Sequence, residues 1–310
     1  MAHHIVKRTE DQVYEVPPVF REHSSGYTVD SIVSEEGGAI QMGFGVARFS
    51  DGARVEAHLH SFEETFFVLE GTVTVDTPEG SFLVRQGDYG LIPVGVTHAI
   101  RNLSGAPASL AEMRAPVPRR RSDFDTYFPR PLIVGEPVEI DVRDPRNRSF
   151  GHIEPDNMDP ALQTQDKLAL SASMRTALLV YSGISVKMMI DSDLGADLST
   201  MFMVQYEPAG FAGPHDHPLE EAYMILDGQV EARFDGQAYR LGPGDVAWAG
   251  VGCVHEFRNV GEGHVRWLET QAPQPPPRHS YRFERDWAYL TAALEDEPGS
   301  GPNRKGAQDG

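Results

Sequence analysis

Two groups of four residues in this chain have the types and spacing of metal ligands. Each has a His-x-His pair, a glutamate four residues after the second histidine, and a third histidine further along. The groups are His58, His60, Glu64 and His98, and His215, His217, Glu221 and His255. Residues two apart on a β-strand point to one face, so each histidine pair aims at one point. Each group therefore predicts a divalent metal site, with Fe²⁺ or Mn²⁺ expected first and Ni²⁺, Co²⁺ or Zn²⁺ as alternatives.

The two groups belong to an internal repeat. Every ligand of the first group recurs 157 positions later in the second group, without a gap. Residues around the ligands recur at the same offset: Gly71, Gly87, Asp88 and Asn102 match Gly228, Gly244, Asp245 and Asn259. The chain therefore contains a duplicated module, with one copy in each half. The two asparagines are expected to stabilise the turn that follows the last histidine.

Strand parity predicts which neighbours of the ligands share the inward face. Arg54 and Glu56 have the parity of His58. Arg54 then either offers a cation to a substrate carboxylate or enolate, or pairs with Glu56. The aligned residues of the second copy are Phe211 and Gly213, which predict a more apolar cavity beside the second metal.

Tyr223 is the other candidate for a catalytic side chain. It follows Glu221 by two residues, so it is expected to point inward beside the second metal, where Phe66 has the matching place in the first copy. Its hydroxyl can donate to a substrate oxygen or relay a proton, and an ordinary core aromatic is the alternative. Glu63 and Glu220 have the opposite parity and are expected to face away from the metals.

Short strands broken by turns are the elements that must position these residues. The 310 residues include 30 glycines and 23 prolines, which separate short runs rich in Val, Ile, Phe, Tyr and Thr. This pattern is typical of an all-β sandwich or barrel. Helical spacing of apolar side chains is clear only over 282–294, which predicts a short helix near the C-terminus. The tail from residue 297 is expected to be disordered.

Charge and composition exclude several classes of partner. The chain has 27 Lys+Arg and 46 Asp+Glu, a formal charge of −19, which disfavours nucleic acid and anionic membranes. Its longest apolar runs are far shorter than the roughly 20 residues of a membrane helix. The start of the chain lacks a hydrophobic signal core, and Cys253 is its one cysteine. These features predict a cytoplasmic protein without disulfides whose partner is a small-molecule substrate.

The motifs resemble those of the cupin superfamily, and specifically of bicupins. The first copy has the full patterns Gly-x5-His-x-His-x3-Glu-x6-Gly and Gly-x5-Pro-x-Gly-x2-His-x3-Asn. The matching residues are Gly52, His58, His60, Glu64, Gly71, Gly87, Pro93, Gly95, His98 and Asn102. The second copy departs twice, because Gly210 lies one residue closer to the histidine pair and Gly250 replaces the proline.

The resemblance implies two jelly-roll β-barrels in tandem. We expect an N-terminal cupin domain over 1–115, a proline-rich connector over 116–165, and a C-terminal cupin domain over 166–275. A short C-terminal helix and a disordered tail are expected over 276–310. Bicupins commonly cover sheet edges by strand exchange or dimer contact, so a homodimer is also expected.

The resemblance is specific for the fold and the metal sites but weak for the reaction. The first expectation is a metal-dependent dioxygenase acting on a small organic acid, enol or phenol. Four protein ligands leave two positions of an octahedral metal open for substrate and dioxygen. The alternatives are a redox-neutral isomerase, lyase or hydrolase, and a non-catalytic small-molecule-binding protein. The second copy is the expected catalytic centre.

Overall fold

The computed structural model describes residues 3–141, 143–159 and 183–274, together with the backbone of 176–179 and 282–283. Within these residues the regular structure is β-strand with short 3-10 turns, which confirms the all-β prediction. No helix in the described ranges is long and apolar enough to cross a membrane. The helix predicted over 282–294 lies outside the described residues except for Arg282–Phe283, which form a strand.

Twelve strands come from the first half of the chain and the connector. They are β1 His4–Lys7, β2 Ser24–Val33, β3 Gly43–His60, β4 Glu63–Glu70, β5 Thr72–Thr77, β6 Gly80–Arg85, β7 Asp88–Ile92, β8 His98–Arg101, β9 Ala108–Ala115, β10 Thr126–Tyr127, β11 Val138–Glu139 and β12 Phe150–His152. The 3-10 turns span Thr9–Asp11, Pro18–Phe20, Glu35–Gly37, Arg120–Asp125, Pro145–Asn147 and Pro155–Met158.

Eleven more strands are described in the second half. They are β13 Thr176–Leu179, β14 Ile184–Ile190, β15 Thr200–Tyr206, β16 Phe211–Asp216, β17 Glu220–Asp227, β18 Val230–Phe234, β19 Gln237–Leu241, β20 Val246–Ala249, β21 His255–Arg258, β22 Val265–Ala272 and β23 Arg282–Phe283.

Each half of the chain folds into a barrel of two facing layers, in which all the described strand pairs are antiparallel except β11 with β6. In the second half the layers are separate sheets, with the orders β1-β20-β17-β22-β15-β14-β13 and β19-β18-β21-β16-β23. In the first half both layers join into one 11-stranded sheet. The join exists because β3 is 18 residues long: its first part pairs with β9 in one layer and its last part with β8 in the other.

Three hydrophobic clusters hold the barrels together. One fills the first barrel and includes Phe49 and Phe82, and another fills the second barrel and includes Phe234 and Trp267. The third crosses between the barrels. It includes Met42, Phe44, Met113, Met201, Met203, Leu268 and Trp248, all at most 3 % exposed. Burial of this continuous apolar surface makes the two barrels one packed unit.

The repeated glycines and asparagines have the same structural role in both copies. Gly71 and Gly228 have φ of +75° and +73°, and a Cβ on either would lie 2.4 Å from a backbone carbonyl oxygen. Only glycine meets both conditions without strain. The side-chain amides of Asn102 and Asn259 each donate to three backbone carbonyls at 2.7–3.2 Å. The expected turn role of the asparagines is confirmed.

Two buried glutamates cross-link the barrels. Glu63 of the first barrel accepts hydrogen bonds from the backbone N–H groups of Asp197 and Leu198 at 2.8–3.4 Å, and from the hydroxyl of Ser199. Glu220 of the second barrel accepts from the backbone N–H groups of residues 40–42 at 2.9–3.2 Å. Both the glutamates and the segments that they bind are related by the 157-residue offset. The same type of contact, from a buried glutamate of one barrel to a segment of the other, therefore holds the barrels together in both directions.

The strand that precedes each barrel is exchanged onto the other barrel. β1 pairs with β20 of the second barrel, and β12 pairs with β7 of the first. The repeated aspartates hold these strands. Asp88 Oδ1 lies 2.6 Å from His152 Nδ1, and Asp245 accepts from the guanidinium of Arg8 at 2.7 Å. The motif aspartate thus attaches the exchanged strand in both copies.

Glu220→Gln should lower the free energy of unfolding by about 2 kcal/mol, because buried N–H groups lose a charged acceptor. Glu63→Gln should lower the free energy of unfolding by a similar amount, since Glu63 makes the corresponding hydrogen bonds to the second barrel. Urea unfolding monitored by fluorescence measures the effect, with the exposed Glu262→Gln as control. A loss no larger than that of the control would contradict the role given to the pair.

The stability that His152 contributes should depend on pH. Its hydrogen bond to Asp88, opposed by burial and supported by Glu154, raises the pKa of His152 above the ordinary value of 6.5. The contribution is therefore complete below about pH 6.5 and is lost as the pH rises through the folded-state pKa. The stability difference between wild type and His152→Gln should shrink from about pH 6.5 upward in urea unfolding. His264→Gln, at a more exposed histidine, is the control, and a pH-independent difference would refute the assignment.

Candidate metal centres

The first candidate centre lies inside the first barrel, where β3 ends and β8 begins. His58 and His60 come from the last three residues of β3, and His98 is the first residue of β8. Their ligand nitrogens lie within 4.8 Å of one another, and all three side chains are buried. The strand pair β3–β8 brings His58 directly opposite His98. The structure therefore brings together the three histidines that the sequence grouped.

The second candidate centre repeats this arrangement in the second barrel. His215 lies on β16, His217 follows the end of that strand, and His255 begins β21. Their ligand nitrogens also lie within 4.8 Å of one another, and the three side chains are buried. The two buried triads indicate two metal sites per chain.

All six histidines are oriented by the same type of bond. In each one Nδ1 lies 2.7–3.1 Å from a backbone carbonyl oxygen. A carbonyl only accepts, so Nδ1 carries the proton and Nε2 offers its lone pair to the interior. The Nε2 atom of His98 is buried without a hydrogen-bond partner among the described residues. A bound metal ion satisfies such nitrogens, so the residues fit the metal that the sequence predicts.

Burial keeps two of these imidazoles neutral at pH 7. It lowers the pKa of His98 to about 4, with a further lowering from the charge of His60. Burial together with the charge of His255 lowers the pKa of His215 to about 4 as well. A neutral imidazole is the form that binds a metal.

The two predicted glutamate ligands lie against the triads. Glu64 Oε2 is 2.9 Å from His60 Nε2, and Glu221 Oε2 is 2.8 Å from His217 Nε2 and 3.3 Å from His255 Nε2. Burial acts to raise the pKa of both carboxyls. The pairing of Glu64 with His60 and of Glu221 with His217 outweighs it, so both pKa values lie well below the ordinary range. Each centre thus has three imidazoles and one ionised carboxylate.

The two centres differ at Tyr223. Its side chain is buried, and its hydroxyl donates to Glu221 Oε2 and lies 3.0 Å from His255 Nε2. The hydroxyl is therefore among the ligand atoms of the second centre. Phe66, the aligned residue of the first barrel, is equally buried but has no hydroxyl.

The inward direction predicted for Arg54 is wrong. A β-bulge lies between Val55 and His58, where the register with β8 shifts by one residue. The extra residue reverses the parity of everything before it, so Arg54 is exposed and does not line the cavity at the first centre. The predicted pair with Glu56 is also not observed, because the Glu56 carboxylate pairs with His23 at 3.1 Å.

The same bulge occurs in the second barrel. It lies between Ala212 and His215, and it turns Phe211 away from the metal centre. The guanidinium of Arg258 lies 4.6 Å from the centre of the Phe211 ring, near the surface. Phe211 therefore does not form the apolar wall that parity predicted.

Glu112 and Arg114 of β9 line the first centre and were not predicted. They form a buried ion pair beside Glu64, and Tyr27 bonds to Glu112. Burial raises the pKa of Glu112 to about 7, and Arg114 partly opposes this. The cation expected from Arg54 is therefore supplied by Arg114.

Glu269 and Gln271 of β22 have the corresponding positions in the second barrel. The amide of Gln271 donates to Glu221 Oε1, and the indole N–H of Trp267 donates to Glu269 at 2.9 Å. The repeat offset is the sequence signal for these residues, since it aligns one buried glutamate with the other. It also shows that an amide replaces the guanidinium in the second copy.

The cavity at the first centre is small and covered. Its volume is about 20 Å³, enough for one ion or one water molecule. The ring of Phe20 packs edge-on against His58 at 5.0 Å between ring centres, and Phe128 of the connector lies beside it. The first centre is therefore enclosed by aromatic side chains.

Comparison with known proteins identifies the family. The sequence matches the family described as Cupin domain over residues 45–113 and again over 202–270. The chain carries two cupin domains. Each matched range contains one complete set of four candidate ligands, so the resemblance to bicupins is confirmed.

Two curated relatives match parts of the bicupin. Dimethylsulfoniopropionate lyase DddQ from Ruegeria pomeroyi is 46 % identical over 57 residues, which are 18 % of this chain and 28 % of DddQ. Polyketide synthase CurC from Streptomyces cyaneus is 29 % identical over 90 residues, which are 28 % of this chain and 58 % of CurC. The chain thus spans less than two thirds of the length of either relative.

Solved structures match nearly the whole bicupin. Oxalate decarboxylase from Bacillus subtilis has 14 % identity and a TM-score of 0.59. The match covers 94 % of this chain and 82 % of the Bacillus chain. The formate complex of oxalate decarboxylase from Lactobacillus farciminis has 14 % identity and a TM-score of 0.61. The match covers 94 % of this chain and 93 % of the Lactobacillus chain. At this identity the similarity establishes the fold.

Purified bicupin reconstituted with Mn²⁺ should hold two equivalents of manganese. Mn²⁺ prefers oxygen and imidazole ligands over thiolates, so it reports the two His-Glu centres. His98→Ala and His255→Ala should each lose one equivalent, and the double variant should lose both, as measured by elemental analysis. Retention of two equivalents by either single variant would show that the triads do not hold the ions.

Proposed function

We propose that this bicupin is a metal-dependent lyase that acts on a small organic acid at its second centre. The position of the Tyr223 hydroxyl carries the proposal, because it lies 3.0 Å from His255 Nε2 and bonds to Glu221. A proton-transferring group at that distance can act on a substrate bound at the metal. The partial match to a protein named as a lyase supports the same reaction class.

A divalent ion in the second centre would polarise a substrate oxygen. The Tyr223 hydroxyl would first give its proton to solvent, which leaves Oη able to act as the base. Tyr223 Oη would accept the proton from the carbon next to the substrate carboxylate. The electron pair of that C–H bond forms the new double bond, and the substituent on the next carbon leaves with the electrons of its own bond. Gln271 holds Glu221 through its amide, so the carboxylate keeps its direction during the reaction.

The first centre is assigned a structural ion in this proposal. Phe66 has no hydroxyl there, and the cavity at this centre has a volume of about 20 Å³. Mn²⁺ or Fe²⁺ remains the expected metal for both centres. The oxalate decarboxylase from Bacillus subtilis, which shares the fold, has Mn(II) centres.

Oxidation by dioxygen is the competing reaction class, because the same four ligands also leave room for dioxygen on an octahedral metal. The dioxygenase expected from the sequence therefore stays a prediction. The two classes differ in one observable, since a lyase consumes no oxygen. Assays in an oxygen electrode on enols, phenols and small carboxylic acids separate them.

Tyr223→Phe should lower kcat by about 10²- to 10⁴-fold while keeping two equivalents of Mn²⁺. Turnover is measured as formation of the new double bond, using dimethylsulfoniopropionate and other carboxylic acids with a leaving group on the third carbon. His58→Ala should keep most of the turnover and lose thermal stability.

Full activity of Tyr223→Phe would remove Tyr223 from the reaction. Oxygen uptake in step with product would replace the lyase by a dioxygenase. Loss of turnover in a folded His58→Ala protein that retains its second ion would assign the chemistry to the first centre.

A further inference from the structure

A third cluster of metal-binding side chains lies outside the two centres. His4, Asp235 and Cys253 each offer one ligand atom, and these atoms lie within 4.8 Å of one another. His4 belongs to the exchanged strand β1, Asp235 to the turn between β18 and β19, and Cys253 to the loop before β21. Three separate elements of the fold therefore converge on one point.

The ring of His4 is held with Nδ1 toward the cluster. Its Nε2 lies 2.9 Å from the hydroxyl of Tyr239, and the ring stacks on Phe234 at 5.6 Å between centres. Nδ1 is 3.9 Å from Asp235 Oδ2. Because Nε2 is used by the tyrosine, Nδ1 is the nitrogen available to a metal ion.

Asp235 is fixed by the loop that carries Cys253. Its Oδ1 accepts from the N–H of Val254 at 3.0 Å, and its own N–H donates to the Val254 carbonyl at 2.7 Å. These bonds leave Oδ2 directed toward β1, where His3 Nδ1 also lies 3.6 Å away. The backbone of His3 is itself held, since its carbonyl accepts from Gly250 at 2.8 Å.

We propose that His4 Nδ1, Asp235 Oδ2 and Cys253 Sγ form a third metal site, with His3 Nδ1 as the fourth ligand. One sulfur, two nitrogens and one oxygen make a tetrahedral donor set for Zn²⁺ or Co²⁺, and the thiolate distinguishes it from the two His-Glu centres. On binding, the Cys253 thiol gives its proton to solvent and the S–metal bond forms. No oxidation state changes.

The site would attach the exchanged strand to the second barrel. β1 reaches that barrel through backbone pairing with β20, and the ion adds a link from residues 3 and 4 to the loop before β21. The same loop orients the second centre, because the Cys253 carbonyl oxygen is 2.9 Å from His255 Nδ1. Binding at the third site therefore stiffens a segment that positions a candidate ligand.

Cobalt substitution tests the site selectively. Cys253 is the only cysteine of the chain, so a near-ultraviolet thiolate-to-Co²⁺ charge-transfer band reports this site alone. Titration of the full chain with Co²⁺ should produce a band whose final amplitude corresponds to one thiolate-bound Co²⁺ per chain. Cys253→Ser should abolish it, and His4→Ala and Asp235→Asn should each weaken Co²⁺ binding by about tenfold or more.

His23→Ala is the matched control, because this histidine pairs with a carboxylate far from the cluster and should leave the band unchanged. If Cys253→Ser does not fold, the His4→Ala titration decides the question. A protein loaded with Co²⁺ by elemental analysis but lacking the band overturns the proposal. A band of unchanged affinity in both His4→Ala and Asp235→Asn overturns it too.

Discussion

Burial of three imidazoles and one carboxylate inside each apolar barrel is the constraint on which the rest of this structure depends. Polar groups removed from water need partners, and each histidine has one in the backbone carbonyl that binds its Nδ1. The remaining nitrogens face one another, an arrangement that suits a bound cation. The segments that supply these carbonyls are therefore part of the centre.

The Glu-Glu pair links the metal centres to the domain interface. Glu64 and Glu221 point inward to the histidines, while their neighbours Glu63 and Glu220 bind the backbone of the opposite barrel. Adjacent residues on a strand face opposite sides, so two consecutive carboxylates serve two different purposes. The strand that carries the carboxylate ligand therefore also carries a contact to the opposite barrel.

The two copies share ligands but differ in the groups beside them. The Tyr223 hydroxyl of the second centre has no counterpart in the first, where Phe66 is the aligned residue. Gln271 of the second copy replaces Arg114 of the first. An amide holds the ligand carboxylate without adding charge, whereas the guanidinium partly neutralises it and the adjoining Glu112. In our proposal the centre with the hydroxyl and without the cation carries out the reaction, and the other holds a permanently bound ion.

The sequence by itself determined the all-β class, the duplication and both candidate ligand sets, because residue identity and a constant offset are local properties of the chain. It also predicted that Tyr223 points to the second centre, where parity runs without interruption from Glu221. Only the tertiary structure decided the direction of Arg54, since a β-bulge adds one residue and reverses the alternation that parity assumes. It alone showed that Arg114 reaches the first centre, because contacts between strands distant in sequence depend on pairing register, which no single strand's periodicity contains.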